Sequence, residues 1–137
     1  MKTISRVWEA VHGLITEYRL IARLNIDGVL NPSPPSQYQI GTNGDVLVVL
    51  GFNESWNFFR YLSTHLNHAG YRIHFVPEIG RGTKPIAEEA ACVERYIRSN
   101  HLSDIVLLSH SKGGLVAKYL LDHSSFARVI RLSVSLS

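Results

Sequence analysis

At 137 residues the chain has room for one domain with a single hydrophobic core. Its hydrophobic content of 45% and charged content of 18% are typical of a globular protein and exclude a disordered or fibrous one. The formal net charge is only +3, and no run of Lys or Arg stands out, so we predict no nucleic-acid partner. No apolar stretch reaches the length of a membrane span, so we predict no transmembrane segment.

The first 44 residues are predicted to form an amphipathic helix followed by a proline-rich connection. Apolar residues recur at helical spacing from about Ser5 to Leu24, and the segment 31–36 contains three prolines. This helix packs on the rest of the domain or serves a membrane surface or a partner. A short strand is expected over Gln37 to Ile40, followed by an Asn-Gly turn at 42–45 that commonly joins antiparallel neighbours.

The cellular compartment is only weakly indicated. Cys92 is the single cysteine, so no intramolecular disulfide can form, and its apolar neighbours predict a buried thiol. The N-terminus resembles the start of a signal peptide, but Glu9, His12 and Glu17 interrupt any apolar core. We therefore leave the compartment open, with a slight preference for the cytoplasm.

Strands and helices alternate over the second part of the chain, 45–137. Continuous apolar runs predict strands that are covered on both faces, and periods of 3.6 predict helices between them. The expected strands are 46–50, 71–76, 105–108 and 129–136, and the expected helices are 55–69, 85–100 and 112–121. This order predicts an α/β fold, a doubly wound and mostly parallel sheet with helices on both faces.

One hexapeptide lies between the third strand and the third helix, Ser109-His110-Ser111-Lys112-Gly113-Gly114. A serine flanked by small residues at a tight strand-to-helix turn is the pattern of a nucleophile elbow. Ser109 and Gly113 occupy the two small positions, Ser109 where glycine is most common. The stretch resembles the α/β-hydrolase superfamily, and within it the lipase- and esterase-like members.

The resemblance implies a set of roles for residues of this chain. Ser111 would be the nucleophile, and the backbone N–H groups of Phe52 and Lys112 would form the oxyanion hole. Gly51, at the end of the first strand, would let the backbone approach the substrate, or it simply terminates the strand. The Lys112 side chain either places a charge near an acyl or head-group pocket or is solvated. Loop 77–82 is expected at the same edge of the sheet.

The resemblance extends from Asp45 to Ser137 and leaves the catalytic acid and histidine unaccounted for. After Ser111 the sequence offers only Asp122 and His123, and His123 lies twelve helical residues on, about 18 Å away. His110 is expected to pack within the sheet, because successive strand side chains point to opposite faces. In the family, further strands bring the acid and the histidine. The hydrolase-like core is therefore predicted to be incomplete, ending after the strand that follows the nucleophile helix.

These observations favour a serine hydrolase that acts on a carboxylic ester, a small molecule or a lipid, through an acyl-enzyme. An acyltransferase and a non-catalytic interaction module are the alternatives. We expect no cofactor and no metal, since His65 and His68 have a metal-compatible spacing but no evident third ligand. Aromatic residues near the oxyanion loop suit either an acyl or aromatic substrate or the core face of a helix; they are Phe52, Trp56, Phe58 and Phe59.

The final strand, 129–136, carries only one charge, Arg131, and no proline. Natural sheets blunt exposed edges with charges, prolines or a covering element. We therefore predict that the chain pairs through this strand, as a homo-oligomer or with a missing C-terminal half, or else aggregates.

Overall fold

The computed structural model describes Leu30 and residues 33–136. Four strands and three α-helices alternate along the described chain: β1 Gly44–Val49, α1 Arg60–His68, β2 Tyr71–Phe75, α2 Ile86–Ser99, β3 Ile105–His110, α3 Lys112–His123 and β4 Ile130–Leu136. The predicted helix from Ser5 to Leu24 lies outside the described residues. The sequence predicted all four strands and all three α-helices of this part of the chain, with boundaries that differ by a few residues.

The four strands form one parallel sheet in the order β2-β1-β3-β4. Strands β1 and β3 are central, and β1 is buried from Val46 to Val49 because side chains cover both of its faces. The α/β class and the parallel sheet are thus confirmed.

Helices lie on both faces of this sheet and divide the core in two. On one face, Leu47, Val49 and Leu107 pack against α2 and α3. On the other face, Val46, Val48 and Leu108 pack against α1 and the segment before it, including the buried rings of Tyr38, Trp56 and Phe59.

The predicted strand at Gln37 to Ile40 is wrong. Residues Ser36–Gln39 form a 3-10 helix, with the Tyr38 N–H donating to Pro35 O at 3.1 Å and the Ile40 N–H to Gln37 O at 3.0 Å. Only Tyr38 of this segment is buried, and its hydroxyl bonds to Thr64 Oγ1 at 2.8 Å. One buried anchor with exposed neighbours suits a helical turn better than a strand.

The predicted Asn-Gly turn is also wrong as a link between antiparallel strands. Gly44 already belongs to β1, and the N–H groups of Thr42 and Asn43 both donate to Gly70 O, at 3.0 and 2.9 Å. The segment therefore attaches to the α1–β2 connection instead of closing a hairpin.

The helix predicted over 55–69 begins differently from the expectation. Trp56–Phe59 is a 3-10 turn, and regular α-helix starts only at Arg60. His65 and His68 are exposed near its end, and among the described residues no group of three His, Cys, Asp or Glu side chains could hold a metal ion.

Strand β4 forms one edge of the sheet, as predicted. Its residues from Arg131 to Leu136 are exposed, and its register with β3 slips between Ile105 and Val106. Arg131 Nε lies 3.4 Å from Asp104 Oδ1, and both side chains are exposed. Within the part of the chain that the structure describes, no helix is long and apolar enough to cross a bilayer.

Candidate active site

Ser111 occupies the turn between β3 and α3 with an unusual backbone conformation. Its φ is 52° and its ψ is −123°, a region that is essentially restricted to glycine and costs on the order of 1–3 kcal/mol for other residues. The residue is exposed, and its side chain caps no N–H of α3. Its own N–H donates to Leu136 O at 3.3 Å. The turn thus presents the hydroxyl to solvent at the carboxyl edge of the sheet.

Small residues around Ser111 make this turn possible. A Cβ on Gly113 would overlap the carbonyl oxygen of Val49, so the start of α3 lies directly on the backbone of β1. A Cβ on Gly114 would overlap the Ser135 hydroxyl instead. Ser109 is fully buried, and its hydroxyl donates to Val134 O at 3.4 Å. Ser109 and Gly113, the two positions expected to be small, therefore have no space for a larger side chain.

The loop after β1 comes close to this turn. A Cβ on Gly51 would lie 2.8 Å from both His110 O and Glu54 Oε1, so the position needs glycine for close approach, beyond merely ending the strand. Among the described residues, the Phe52 N–H has no hydrogen-bond acceptor. The same holds for the Lys112 N–H, one of the four free donors that begin a helix.

Glu54 connects this loop to strand β3. Its Oε2 accepts the Gly51 N–H at 2.6 Å, and its Oε1 makes a short hydrogen bond with His110 Nδ1. The His110 ring also packs against the Phe58 ring, with centroids 4.5 Å apart. His110 therefore lies at the end of β3 with its ring against Phe58, and its partnership with Glu54 was not foreseen.

Loop 80–82, which follows β2 in the chain, packs against loop 51–54. Gly82, with a φ of 69°, lies against the Gly51 carbonyl so closely that a Cβ would overlap it. The Asn53 N–H donates to Arg81 O at 2.6 Å, and the Asn53 side chain accepts from the Arg81 guanidinium. The ends of β1, β2 and β3 thus converge, as predicted for the ligand-binding edge of such a sheet.

The side chain of Lys112 matches neither sequence interpretation. Its Nζ donates to Gly82 O and Glu89 Oε1, both at 2.7 Å, and to Lys84 O at 2.5 Å. Its side chain is 21% exposed and that of Glu89 is fully buried. The ammonium is therefore neither solvated nor free to meet a substrate. It ties the turn to the β2–α2 loop.

The four aromatic residues near the loop divide into two groups. Trp56 and Phe59 are buried and Phe58 is half-buried, all three on the core face, whereas Phe52 is 65% exposed. Phe52 is therefore the most exposed of the four. An apolar groove of about 590 Å³ opens nearby between Leu50, Trp56, Phe75 and Tyr96, but Ser111 does not line it.

Neither His110 nor His123 is hydrogen-bonded to the Ser111 hydroxyl. His110 Nδ1 is bound to Glu54. His123 lies at the far end of α3, where its Nδ1 bonds to Tyr119 O at 3.0 Å and its ring stacks on Tyr119.

A second carboxylate–histidine pair lies at the opposite end of β1. Asp45 accepts from His74 Nε2 at 2.7 Å and from Arg72 through two bonds of 2.8 Å, while Tyr96 bonds to His74 Nδ1 at 3.0 Å. Burial alone raises the pKa of Asp45, but the hydrogen bonds and charges of Arg72 and His74 outweigh it, so the pKa lies below its ordinary value. Burial also raises the pKa of Tyr96.

Comparison with known proteins adds no assignment. The chain matches no protein-family model, and no curated protein matches it.

Proposed function

We propose that this protein is a serine hydrolase of the lipase or esterase type, which acts on a carboxylic ester through an acyl-enzyme at Ser111. The observation that carries the proposal is the backbone of Ser111, held at φ 52° and ψ −123° with its side chain exposed. A non-glycine residue persists in such a conformation only where the surrounding structure enforces it, and such residues cluster at active sites.

The reaction assigns one role to each of three residues. The Ser111 hydroxyl attacks the ester carbonyl carbon and passes its proton to a base, while the C–O bond to the alcohol breaks and the alcohol takes up that proton. In the second step, water attacks the acyl carbon and gives a proton to the base, the bond from that carbon to Ser111 Oγ breaks to release the acid, and the base returns the proton to Oγ. The negative oxygen of each tetrahedral intermediate is bound by the Phe52 and Lys112 N–H groups, whose lack of other acceptors among the described residues supports this role.

The base is a histidine oriented by an acid, and both are expected from the resemblance rather than assigned to residues of the described chain. Loss of the base from the triad of a serine hydrolase costs about a millionfold in turnover, while the oxyanion hole still leaves a residual rate. The 137-residue chain is therefore expected to react slowly.

A fluorophosphonate probe tests the proposal, because it phosphonylates an activated serine and leaves a mass adduct. We expect Ser111 to be labelled at least about a hundredfold faster than the exposed Ser133 of β4, which has no oxyanion hole. The Ser111→Ala variant should lose this adduct, and the Ser133→Ala variant should keep it. Equal labelling of the two serines, or no adduct on Ser111, would show that Ser111 is no nucleophile.

An interaction module with the same fold is the second candidate. The observation that favours it is the exposed edge of β4, where Leu132, Val134 and Leu136 are all at least 37% exposed. This candidate predicts association at micromolar concentration in sedimentation, which Leu132→Lys should abolish. A monomer at every concentration would exclude pairing of this chain with itself through β4.

The acyltransferase alternative shares Ser111 and the acyl-enzyme. It differs only in the acceptor of the acyl group, so product analysis in the presence of a competing alcohol distinguishes the two. An excess of transesterified product over free acid would indicate a transferase.

A further inference from the structure

The loop that follows β1 has its backbone donors almost fully occupied. The Gly51 N–H donates to Glu54 Oε2 at 2.6 Å, the Asn53 N–H to Arg81 O at 2.6 Å, and the Glu54 N–H to Gly51 O at 3.4 Å. Within the described part of the chain, the Phe52 N–H is the one backbone donor of residues 51–54 that has no acceptor. The bonds on either side of it fix the orientation of its peptide plane.

One carboxylate is central to this arrangement. The Glu54 side chain is only 10% exposed, and it binds the Gly51 N–H with one oxygen and His110 Nδ1 with the other. Hydrogen bonds to an ionised carboxylate are roughly twice as strong as neutral ones. Since His110 immediately precedes Ser111, Glu54 links the loop that carries the Phe52 N–H to the strand that carries the serine.

The histidine is itself held in place. Its side chain is 25% exposed, and its ring lies against the ring of Phe58, in the turn that leads into α1. The loop, the end of β3 and the start of α1 are therefore joined through two side chains.

We propose that Glu54 and His110 are positioning residues, which hold the Phe52 N–H at the place where the oxyanion forms beside Ser111. This inference rests on the proposed hydrolase function for its chemistry. Neither side chain touches the reacting atoms. The pair acts by fixing the distance between the loop and the serine, on which the effect of an oxyanion-hole donor depends.

The molecule contains a matched control for this pair. Asp45 is also 10% exposed and also binds a histidine, His74, but it lies at the amino end of β1, away from Ser111. Replacing Asp45 by Asn removes a similar carboxylate–histidine interaction without touching loop 51–54. A general loss of stability would therefore affect both variants alike, whereas a positioning role belongs only to Glu54 and His110.

The experiment uses the full chain and two readouts. Amide resonances and amide hydrogen exchange are recorded for Gly51, Phe52 and Asn53, and the rate of Ser111 phosphonylation by the fluorophosphonate probe is measured in the same samples. Glu54→Ala removes both bonds. His110→Phe keeps a ring against Phe58 but removes the nitrogen, so it tests the link with little change in packing.

We expect Glu54→Ala to accelerate Gly51 amide exchange by at least about tenfold, to shift the Phe52 resonance, and to slow Ser111 labelling by about tenfold or more. His110→Phe should give smaller changes of the same sign, and Asp45→Asn should leave both readouts at wild-type values. Unchanged loop amides and unchanged labelling in Glu54→Ala would overturn the inference while the proposed function stands. If wild-type Ser111 takes up no probe, the proposed function fails, and the amide spectra still decide whether the pair holds the loop.

Discussion

Strand β1 has a neighbour on each side and side chains packed on both faces, whereas within residues 33–136 β4 has one neighbour, and its side chains from Arg131 to Leu136 are exposed. Both strands are rich in valine and leucine, yet β1 is buried from Val46 to Val49 and β4 is exposed from Arg131 onward. The difference teaches that position in the sheet, and not hydrophobicity alone, sets how much a residue contributes to stability. Four sets of substitutions test how far this difference extends.

The largest effect is expected from truncating a leucine in β1. Leu47 is fully buried, so Leu47→Ala should lower the free energy of unfolding by about 4 kcal/mol through lost burial and the cavity it leaves. The same change at Leu132 of β4, which is 53% exposed, should cost less than about 0.5 kcal/mol. Urea denaturation of both variants measures the two values. Similar losses in the free energy of unfolding for the two variants would mean that Leu132 is covered in solution.

The next effect concerns Lys112, whose side chain links the start of α3 to the β2–α2 loop. Lys112→Met should destabilise the fold by about 3 kcal/mol, because it leaves the fully buried Glu89 carboxylate unpaired. Lys118→Met, at an exposed position of the same helix, is the control and should be nearly neutral. The double variant Lys112→Met, Glu89→Met should recover most of the loss. If thermal unfolding shows Lys112→Met to be as stable as Lys118→Met, the ion pair is unimportant.

Alanine substitutions at two adjacent glycines of α3 compare the packing against β1 with the packing against β4, because Gly113 lies on β1 and Gly114 lies on β4. Gly113→Ala should cost about 2 kcal/mol, because its Cβ would overlap the Val49 backbone of β1, which cannot move aside easily. Gly114→Ala meets only the Ser135 hydroxyl of β4, which can rotate away, and alanine favours a helix by up to about 1 kcal/mol. Gly114→Ala should therefore be neutral or slightly stabilising. Chemical denaturation should rank them in this order, and the reverse order would contradict the packing described.

The smallest effect is expected at the amino end of β1 and depends on pH. The pKa of Asp45 is lower in the folded chain than in the unfolded one, so its contribution is present above the unfolded pKa, about 3.9. The contribution is lost as the pH falls through the folded value. Asp45→Asn should cost about 1 kcal/mol at pH 7, and its free energy of unfolding should converge with that of the wild type as the pH falls below the folded pKa of Asp45. If the free energies of unfolding of the variant and the wild type differ by the same amount at pH 7 and at pH 2, the titration of Asp45 does not contribute to stability.

Regular patterns made most of the sheet predictable. The run Val46–Leu50 and the period of α2 each depend on neighbours a few residues apart, and so does the small-residue spacing around Ser111. The 3-10 helix at Ser36–Gln39 was missed because its single anchor, Tyr38, is buried by Thr64 and other residues far along the chain.

The two side-chain pairs of the candidate site, Glu54 with His110 and Glu89 with Lys112, were missed for the same reason. Glu54 and His110 lie 56 positions apart, and Glu89 and Lys112 lie 23 apart, so no local pattern joins them. One signal was present for the second pair. Glu89 lies three residues after Ile86 and four before Val93, on the apolar side of α2, and a carboxylate there requires a buried cationic partner.

The turn at Ser111 also constrains the order in which the chain folds. It rests on β1 through Gly113 and on β4 through Leu136, and β1 pairs with β3 across 60 positions, Val46 beside Val106. The entropy cost of closing such long loops precedes the gain from the contacts, so pairings of this kind form slowly. The positive φ of Ser111 can be held only when all three strands are in place. During refolding the backbone conformation of Ser111 is therefore expected to appear among the last features.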